Sequence, residues 1–327
     1  MKHKFFRLAA VAGIFLAAAG TARAAESKID IKGYLQTMYS AGSNGVADSF
    51  SMRLARLVFT GKPNADWSYQ FQVDATANPS LLDAYLDFSR EKLLPEPFTF
   101  KVRAGQFRIP FSLESLSPDS ELDTINRAQV VNTLSPGRDL GTKGRDIGAY
   151  AQLTAAPWRI KKFIELTAGQ FNGEGANAAD KNHYKGLALR AVVNPSEHFS
   201  FGVSDYEGNR FSTATASNRT GLEAAVYYGP ASFKAEYIRG RDTATKKEGW
   251  YAQLAVYALP KTLQAVAKYD VYDPDTKLSG NRTAVSTAGL NWFFTEGMRL
   301  QTNYEWKYWE TGGKMCNTFS TVLALTF

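Results

Sequence analysis

Eight basic residues, Arg56, Lys101, Arg103, Arg108, Arg127, Arg138, Lys143 and Arg145, lie between positions 56 and 145 of this 327-residue chain. Side chains of this kind hold anions rather than make bonds. A guanidinium is a planar fork that can donate two hydrogen bonds to one oxyanion. Arg and Lys gathered around a narrow aqueous path lower the cost of admitting an anion and repel cations. Bond-making chemistry has little to work with. Cys316 is the only cysteine, and beyond the first few residues only His183 and His198 remain. Those counts rule out an intrachain disulfide and a Cys-x-x-Cys-His haem attachment, and leave too few ligands for a zinc set. No cofactor is implied.

Basic groups line a path only if the chain wraps one. Segments 29–39, 51–62, 67–75, 82–89, 98–107, 145–155, 161–171, 183–193, 198–207, 218–228, 231–241, 248–258, 262–272, 283–294, 297–308 and 317–327 read as strands with period-two alternation. In one, Trp67, Tyr69, Phe71 and Val73 alternate with Ser68, Gln70, Gln72 and Asp74. In another, Met298, Leu300, Tyr304, Trp306 and Tyr308 alternate with Arg299, Gln301, Asn303, Glu305 and Lys307. The connections alternate between tight turns, such as Pro63-Asn64-Ala65-Asp66 and Gly229-Pro230, and longer polar loops, such as 172–182 and 273–282. Alternation alone fits a soluble sandwich equally well. Aromatic residues at strand ends (Trp67 and Tyr69, Phe98 and Phe100, Tyr227 and Tyr228, Trp292 to Phe294, Trp306 to Trp309) favour membrane girdles. The expected fold is all-β: a transmembrane antiparallel β-barrel of about sixteen strands.

The two ends of the chain support an outer-membrane destination. Lys2, Lys4 and Arg7 precede an apolar run from Leu8 to Ala19, and Ala22-Arg23-Ala24 has the small-x-small form of a cleavage site. Residues 1–24 therefore read as a secretory signal and 25–327 as the barrel domain. Removing the signal leaves 34 Lys+Arg against 31 Asp+Glu, so the net charge falls from +7 to +3. That balance does not imply a nucleic-acid partner. At the other end, Phe319, Leu323, Leu325 and the terminal Phe327 share one face. An aromatic C-terminus on such a strand resembles the signal that outer-membrane barrels present to their assembly machinery. The implied location is the outer membrane of a Gram-negative cell, with lipid around the wall.

Parity turns Arg56, Lys101 and Arg103 toward the lumen, while Arg108, Arg127, Arg138, Lys143 and Arg145 belong to the connection 108–144 or its exits. Arg190, Lys234, Lys268, Arg299 and Lys307 also face inward. So do Asp74, Asp83, Asp87, Glu165, Glu223, Glu236, Asp270 and Glu305, and a wall of mutually neutralising pairs is the competing arrangement. The connection 108–144 is far longer than the rest, and a loop of that size is usually functional. Folded inward, it narrows a lumen otherwise too wide to discriminate small ions. Gly105 and Gly137 are read as permitting a bend or a positive φ, and Pro110 as ending the fifth strand.

Here the residues resemble a known family. Gly105-Gln106-Phe107-Arg108-Ile109-Pro110-Phe111-Ser112-Leu113-Glu114 is similar to the Gly-Gln-Phe-Lys/Arg-x-Pro-Phe-Gly-x-Glu segment of the phosphate-selective porin O and P family, and Ser135-Pro136-Gly137-Arg138-Asp139-Leu140-Gly141 to its Pro-Gly-Arg-Asp-x-Gly. Arg53-Leu54-Ala55-Arg56-Leu57, Asp83-Ala84-Tyr85 and Phe171-Asn172-Gly173 match further family segments, all in family order. The chain departs at Leu54, where an arginine is common. The resemblance implies a sixteen-strand, usually trimeric barrel with an inward third loop, passing small, anionic solutes. Two other readings compete. One is a sheath holding a partner such as a cytochrome, which needs an open cylinder. The other is an outer-membrane hydrolase built on His183 or His198.

Overall fold

The computed structural model describes residues 28–43, 48–78, 80–90, 93–157, 160, 162–211 and 215–327. The segment read as a secretory signal lies outside them. Among the described residues the chain forms β1 (Ile29–Gly42), β2 (Ser49–Gly61), β3 (Trp67–Asp74), β4 (Leu81–Phe88), β5 (Phe98–Arg108), β6 (Arg145–Ala155), β7 (Ile164–Phe171), β8 (Gly186–Ser196), β9 (Phe199–Arg210), β10 (Thr215–Tyr228), β11 (Ala231–Asp242), β12 (Thr245–Leu259), β13 (Leu263–Asp273), β14 (Thr283–Thr295), β15 (Met298–Trp309) and β16 (Lys314–Thr326). Each pairs antiparallel with its sequence neighbours, and β16 returns to β1 to close the barrel. Closure leaves no strand edge, so every wall amide can find a partner away from lipid. The seam ends where Gly33 and Phe327 exchange both backbone hydrogen bonds, at 2.9 and 3.0 Å. The expected strand ends move by at most three residues.

The outward positions carry the apolar residues. Leu166, Leu189, Phe201, Leu222, Leu254, Leu290 and Leu323 are exposed on the wall. Exposed aromatics stand at both ends of this band: Phe98, Tyr228, Trp292 and Phe294 beside the tight turns, and Tyr237, Trp250, Trp306 and Tyr308 toward the long loops. The start of β1 at Ile29 and the final residue Phe327 lie at the tight-turn end, which in such barrels faces the periplasm.

One departure from simple alternation matters for the lumen. The β1–β2 register shifts between Gln36 and Thr37, so Thr37 pairs with Met52 and Gln36 with Leu54. Arg53 is the extra residue. A bulge of this kind re-aims side chains. Phe50 and Met52 are exposed on the outside, Leu54 and Arg56 are buried within, and Arg53 also turns inward.

The connection from β5 to β6 enters the barrel, as expected. It contains α1 (Leu113–Leu116), a 3-10 turn (Asp119–Glu121) and α2 (Gln129–Leu134). Its start is fixed by Gly105, at φ +131°, where a Cβ would fall 2.2 Å from the Ala84 carbonyl oxygen. Its end is fixed by Gly137, at φ +77° and packed against Gly144 and Arg145. Pro110 follows the end of β5, as read from the sequence. Apolar residues of the loop (Phe111, Val130, Val131, Leu134) pack with Phe107 against Tyr206, Ile238 and Tyr251 of the wall. Burial of such side chains contributes about 1.5–3 kcal/mol each, enough to hold a short-helix loop that has little stability of its own.

Candidate functional site

The loop divides the lumen into two unlike halves. It lies against β9–β15 and leaves a cavity of about 510 Å³ against β1–β8.

On the docked side, polar groups of the wall are spent on the loop. Asp123 accepts hydrogen bonds from Lys234 at 2.7 Å, Gln253 at 2.8 Å and Gln264 at 3.2 Å. Lys268 donates to Thr124 and to the Asn126 carbonyl, at 2.8 and 2.5 Å. Arg299 and Gln301 reach the Leu122 carbonyl, at 3.0 and 3.3 Å. The first amides of α1, on Leu113 and Glu114, donate to the Glu236 carboxylate at 2.9 and 2.7 Å. A helix start leaves such donors unsatisfied, and a carboxylate meets both the hydrogen bonds and the charge. Small residues make the room. A Cβ on Gly221, Gly240 or Gly249 would lie 3.2, 3.1 or 2.9 Å from Phe111, Leu134 or Val130.

On the open side, the cavity is lined by eight basic residues, Lys32, Arg56, Lys101, Arg103, Arg108, Arg145, Lys162 and Arg190, against three acidic ones, Asp83, Glu121 and Glu165. Tyr34, Tyr85, Tyr150 and Phe107 fill the gaps between them. Several of the cations are paired along the wall. Arg103 makes a bidentate pair with Asp87, both bonds at 2.7 Å, and its guanidinium lies 3.6 Å from the centre of the Tyr85 ring. Arg145 forks onto Asp83 at 2.8 and 3.0 Å. Arg56 bonds Asp74 at 2.7 Å and Asp119 of the loop at 2.5 Å. Lys101 differs. Among the described residues it makes no ion pair, and its ammonium sits over the Tyr150 ring at 5.5 Å.

Five of the eight residues singled out from the sequence therefore meet at one cavity: Arg56, Lys101, Arg103, Arg108 and Arg145. Three are placed elsewhere. Arg127 ties Asp119 to the Glu114 and Ser117 carbonyls. Arg138 donates to the Ser115 hydroxyl and carbonyl at 2.8 and 2.9 Å. Lys143 reaches back to Asp74 at 2.9 Å. All three brace the loop. Asp119 gathers Arg127, Arg56 and Arg108: burial alone would raise its pKa, but these guanidiniums hold its carboxyl well below the usual carboxylate range.

Sequence reasoning passed over Lys32 and Lys162, which stand at the periplasmic rim, and Arg53, whose inward turn depends on the β1–β2 bulge. Arg53 donates to Gln36 at 2.6 Å and to the Ile125 carbonyl at 2.5 Å. It thus braces the loop from beside Leu54, where an arginine was expected from the resemblance. His183 lies in the loop before β8 rather than on the strand itself, and His198 is exposed beside the turn to β9, its Nδ1 2.9 Å from the Tyr227 carbonyl.

Comparison with known proteins agrees with this geometry. The fold is shared with an anion-selective porin from Comamonas acidovorans (TM-score 0.68, 10% identity, 92% of this chain and 100% of that one). It is also shared with the outer-membrane channel DcaP of Acinetobacter baumannii (TM-score 0.65, 11% identity, 94% and 100%). A third match is the trimer form of OmpT, an outer-membrane protein of Vibrio cholerae (TM-score 0.64, 11% identity, 92% and 99%). A search of curated protein sequences gave no match. The family model for phosphate-selective porin O and P matches residues 35–311. A closed barrel with an inward loop and a match over most of its length place this chain, an outer-membrane diffusion channel, in the phosphate-selective porin O and P family.

Proposed function

We propose that the channel prefers small anions, oxyanions such as phosphate among them, and that they pass along the cavity against β1–β8. The observation that carries this reading is the lining: eight basic side chains against three carboxylates on a surface where the loop leaves space. Fixed positive charge in a low-dielectric wall favours anions and repels cations. Lys101 contributes most directly, because among the described residues no carboxylate forms an ion pair with it. Arg103 presents the outer edge of a guanidinium already oriented by Asp87, while Arg145, buried on Asp83, adds its charge from behind the surface. Arg127, Arg138 and Lys143 act one step back, by fixing the loop that narrows the path. The Comamonas acidovorans porin of the same fold is itself anion-selective.

The chain is read as a channel rather than an enzyme, since its buried charges are devoted to loop and wall. The inward loop occupies the space a sheathed partner would need. A homotrimer is the expected assembly, as in the trimer form of the Vibrio cholerae protein. Phe327, at the end of the closing strand, is the expected contact for the assembly machinery.

The test is current through planar bilayers. Chloride should carry more of it than potassium under a KCl gradient, and a cation-preferring reversal potential overturns the proposal. Block of chloride current by low phosphate indicates a dedicated oxyanion site. Anion preference without block leaves a general anion pore.

A further inference from the structure

The outside of the wall carries a charged feature that conduction does not use. On β11 and β12 the outward positions begin as a membrane surface, with Phe233, Tyr237, Trp250 and Leu254 exposed. Toward the loop end, beyond the Tyr237 and Trp250 level, the same outward face continues with Arg239, Arg241 and Lys246, all exposed. Arg241 stands directly opposite Lys246 across the ladder. Like charges in that relation repel, because their Cβ atoms lie only about 5 Å apart. An anion between them removes the repulsion.

The surrounding groups leave these three cations in excess over the one carboxylate beside them, Glu248. Glu248 faces Arg239 across the ladder, but it accepts the Tyr237 hydroxyl at 2.7 Å. Arg241 donates to the Thr243 carbonyl at 2.9 Å. Lys247 pairs with Asp242 at 2.8 Å. On β9, Asp205 takes the Thr220 hydroxyl at 2.9 Å, and Glu207 lies opposite Asn218. Among the described residues no carboxylate lies within ion-pairing distance of Arg239, Arg241 or Lys246. Together with Lys247, Thr276 and the single carboxylate Glu248 they line a surface groove of about 350 Å³.

Depth identifies the occupant. A lipid-facing cation is costly at mid-bilayer and tolerated near the interface. The aromatic pair Tyr237 and Trp250 marks that interface, and the cations lie just beyond it on the external side, at headgroup level. Anionic headgroups attract basic clusters placed there. We propose that Arg239, Arg241 and Lys246 bind the phosphorylated headgroup of an outer-leaflet glycolipid whose acyl chains lie along Tyr237, Trp250, Leu222 and Leu254.

The test uses the full-length protein purified in mild detergent, with a bis-phosphorylated lipid A-type glycolipid as probe and its dephosphorylated form as control, read by native mass spectrometry. The phosphorylated form should be retained at least about tenfold more strongly. The variant Arg239→Gln/Arg241→Gln/Lys246→Gln should lose that margin while keeping wild-type single-channel conductance. The milder Lys246→Gln should lose part of it, which covers a triple variant that fails to fold. Equal retention of the two glycolipids, or undiminished retention by the variants, overturns the proposal. So does full displacement by inorganic phosphate, which would mark a free-anion site. A loss of oligomer mass in the variants with lipid retention unchanged would assign the patch to a second copy of the chain, and also overturns it.

Discussion

The two halves of the lumen use the same residue types to opposite ends. Along β9–β15, Lys234, Lys268, Arg299, Glu236 and Asp270 each engage the loop, through Asp123, Thr124, the Leu122 carbonyl, the start of α1 and Gln129. Their charge is consumed in holding a segment of chain. Along β1–β8 the cations border the cavity: Arg56 and Arg145 are buried on their carboxylates, while Lys101 and Arg103 are only partly covered. The difference lies in what stands opposite. Where the wall offers glycines at 221, 240 and 249, the loop packs close, and its backbone and side chains take up most of the polar groups of the wall. Where it offers Tyr34, Tyr85, Tyr150 and long basic chains, the loop cannot pack and a channel is left.

Disturbing the docked half should change the loop, and disturbing the open half should change selectivity. The largest effect is expected from Asp119→Asn. It removes the anion shared by Arg56, Arg127 and Arg108 and leaves buried cations uncompensated, a loss of about 3–5 kcal/mol. Hydrogen exchange across 109–144 should rise sharply, and the open-channel current should become noisy. Gly240→Val should follow. It thrusts a side chain against Leu134 and costs about 1–3 kcal/mol by overpacking. The loop should shift and conductance should change, with little movement of the reversal potential.

The smallest effect is that of mild acid. Asp119 has a depressed folded-state pKa, so its contribution is present above the unfolded value near 3.9 and is lost as pH falls from there through the folded value. Between about pH 5 and pH 8 its clasp should hold, and loop protection should change only below that window. Loosening of the loop at pH 6, followed by hydrogen exchange, would contradict this assignment.

Much of this was legible in the sequence, for physical reasons. A period-two strand exposes its apolar face to lipid as plainly as to a core, so sixteen segments and their turns could be placed. The order of the Gly-Gln-Phe-Arg and Pro-Gly-Arg-Asp segments located the loop. Parity put Arg56, Lys101 and Arg103 inside. What parity cannot see is a partner brought from far along the chain. Arg138 and Arg127 look like Arg103 in sequence, yet their carbonyl acceptors depend on the fold of the loop. The bulge that turns Arg53 inward is a register event with no local signature. The glycines at 221, 240 and 249 sit in strand interiors, where glycine can mark a close approach, but nothing local in the sequence says that a loop lies over them.

The most direct measurement compares zero-current potentials under one KCl gradient for the wild type, Lys101→Glu and the charge-neutral pair Lys234→Gln/Asp123→Asn. Wild type should prefer anions, Lys101→Glu should lose much of that preference, and the pair from the docked half should match wild type. A cation-preferring wild type, or a Lys101→Glu channel with unchanged potential, would contradict the assignment of selectivity to the open half of the lumen.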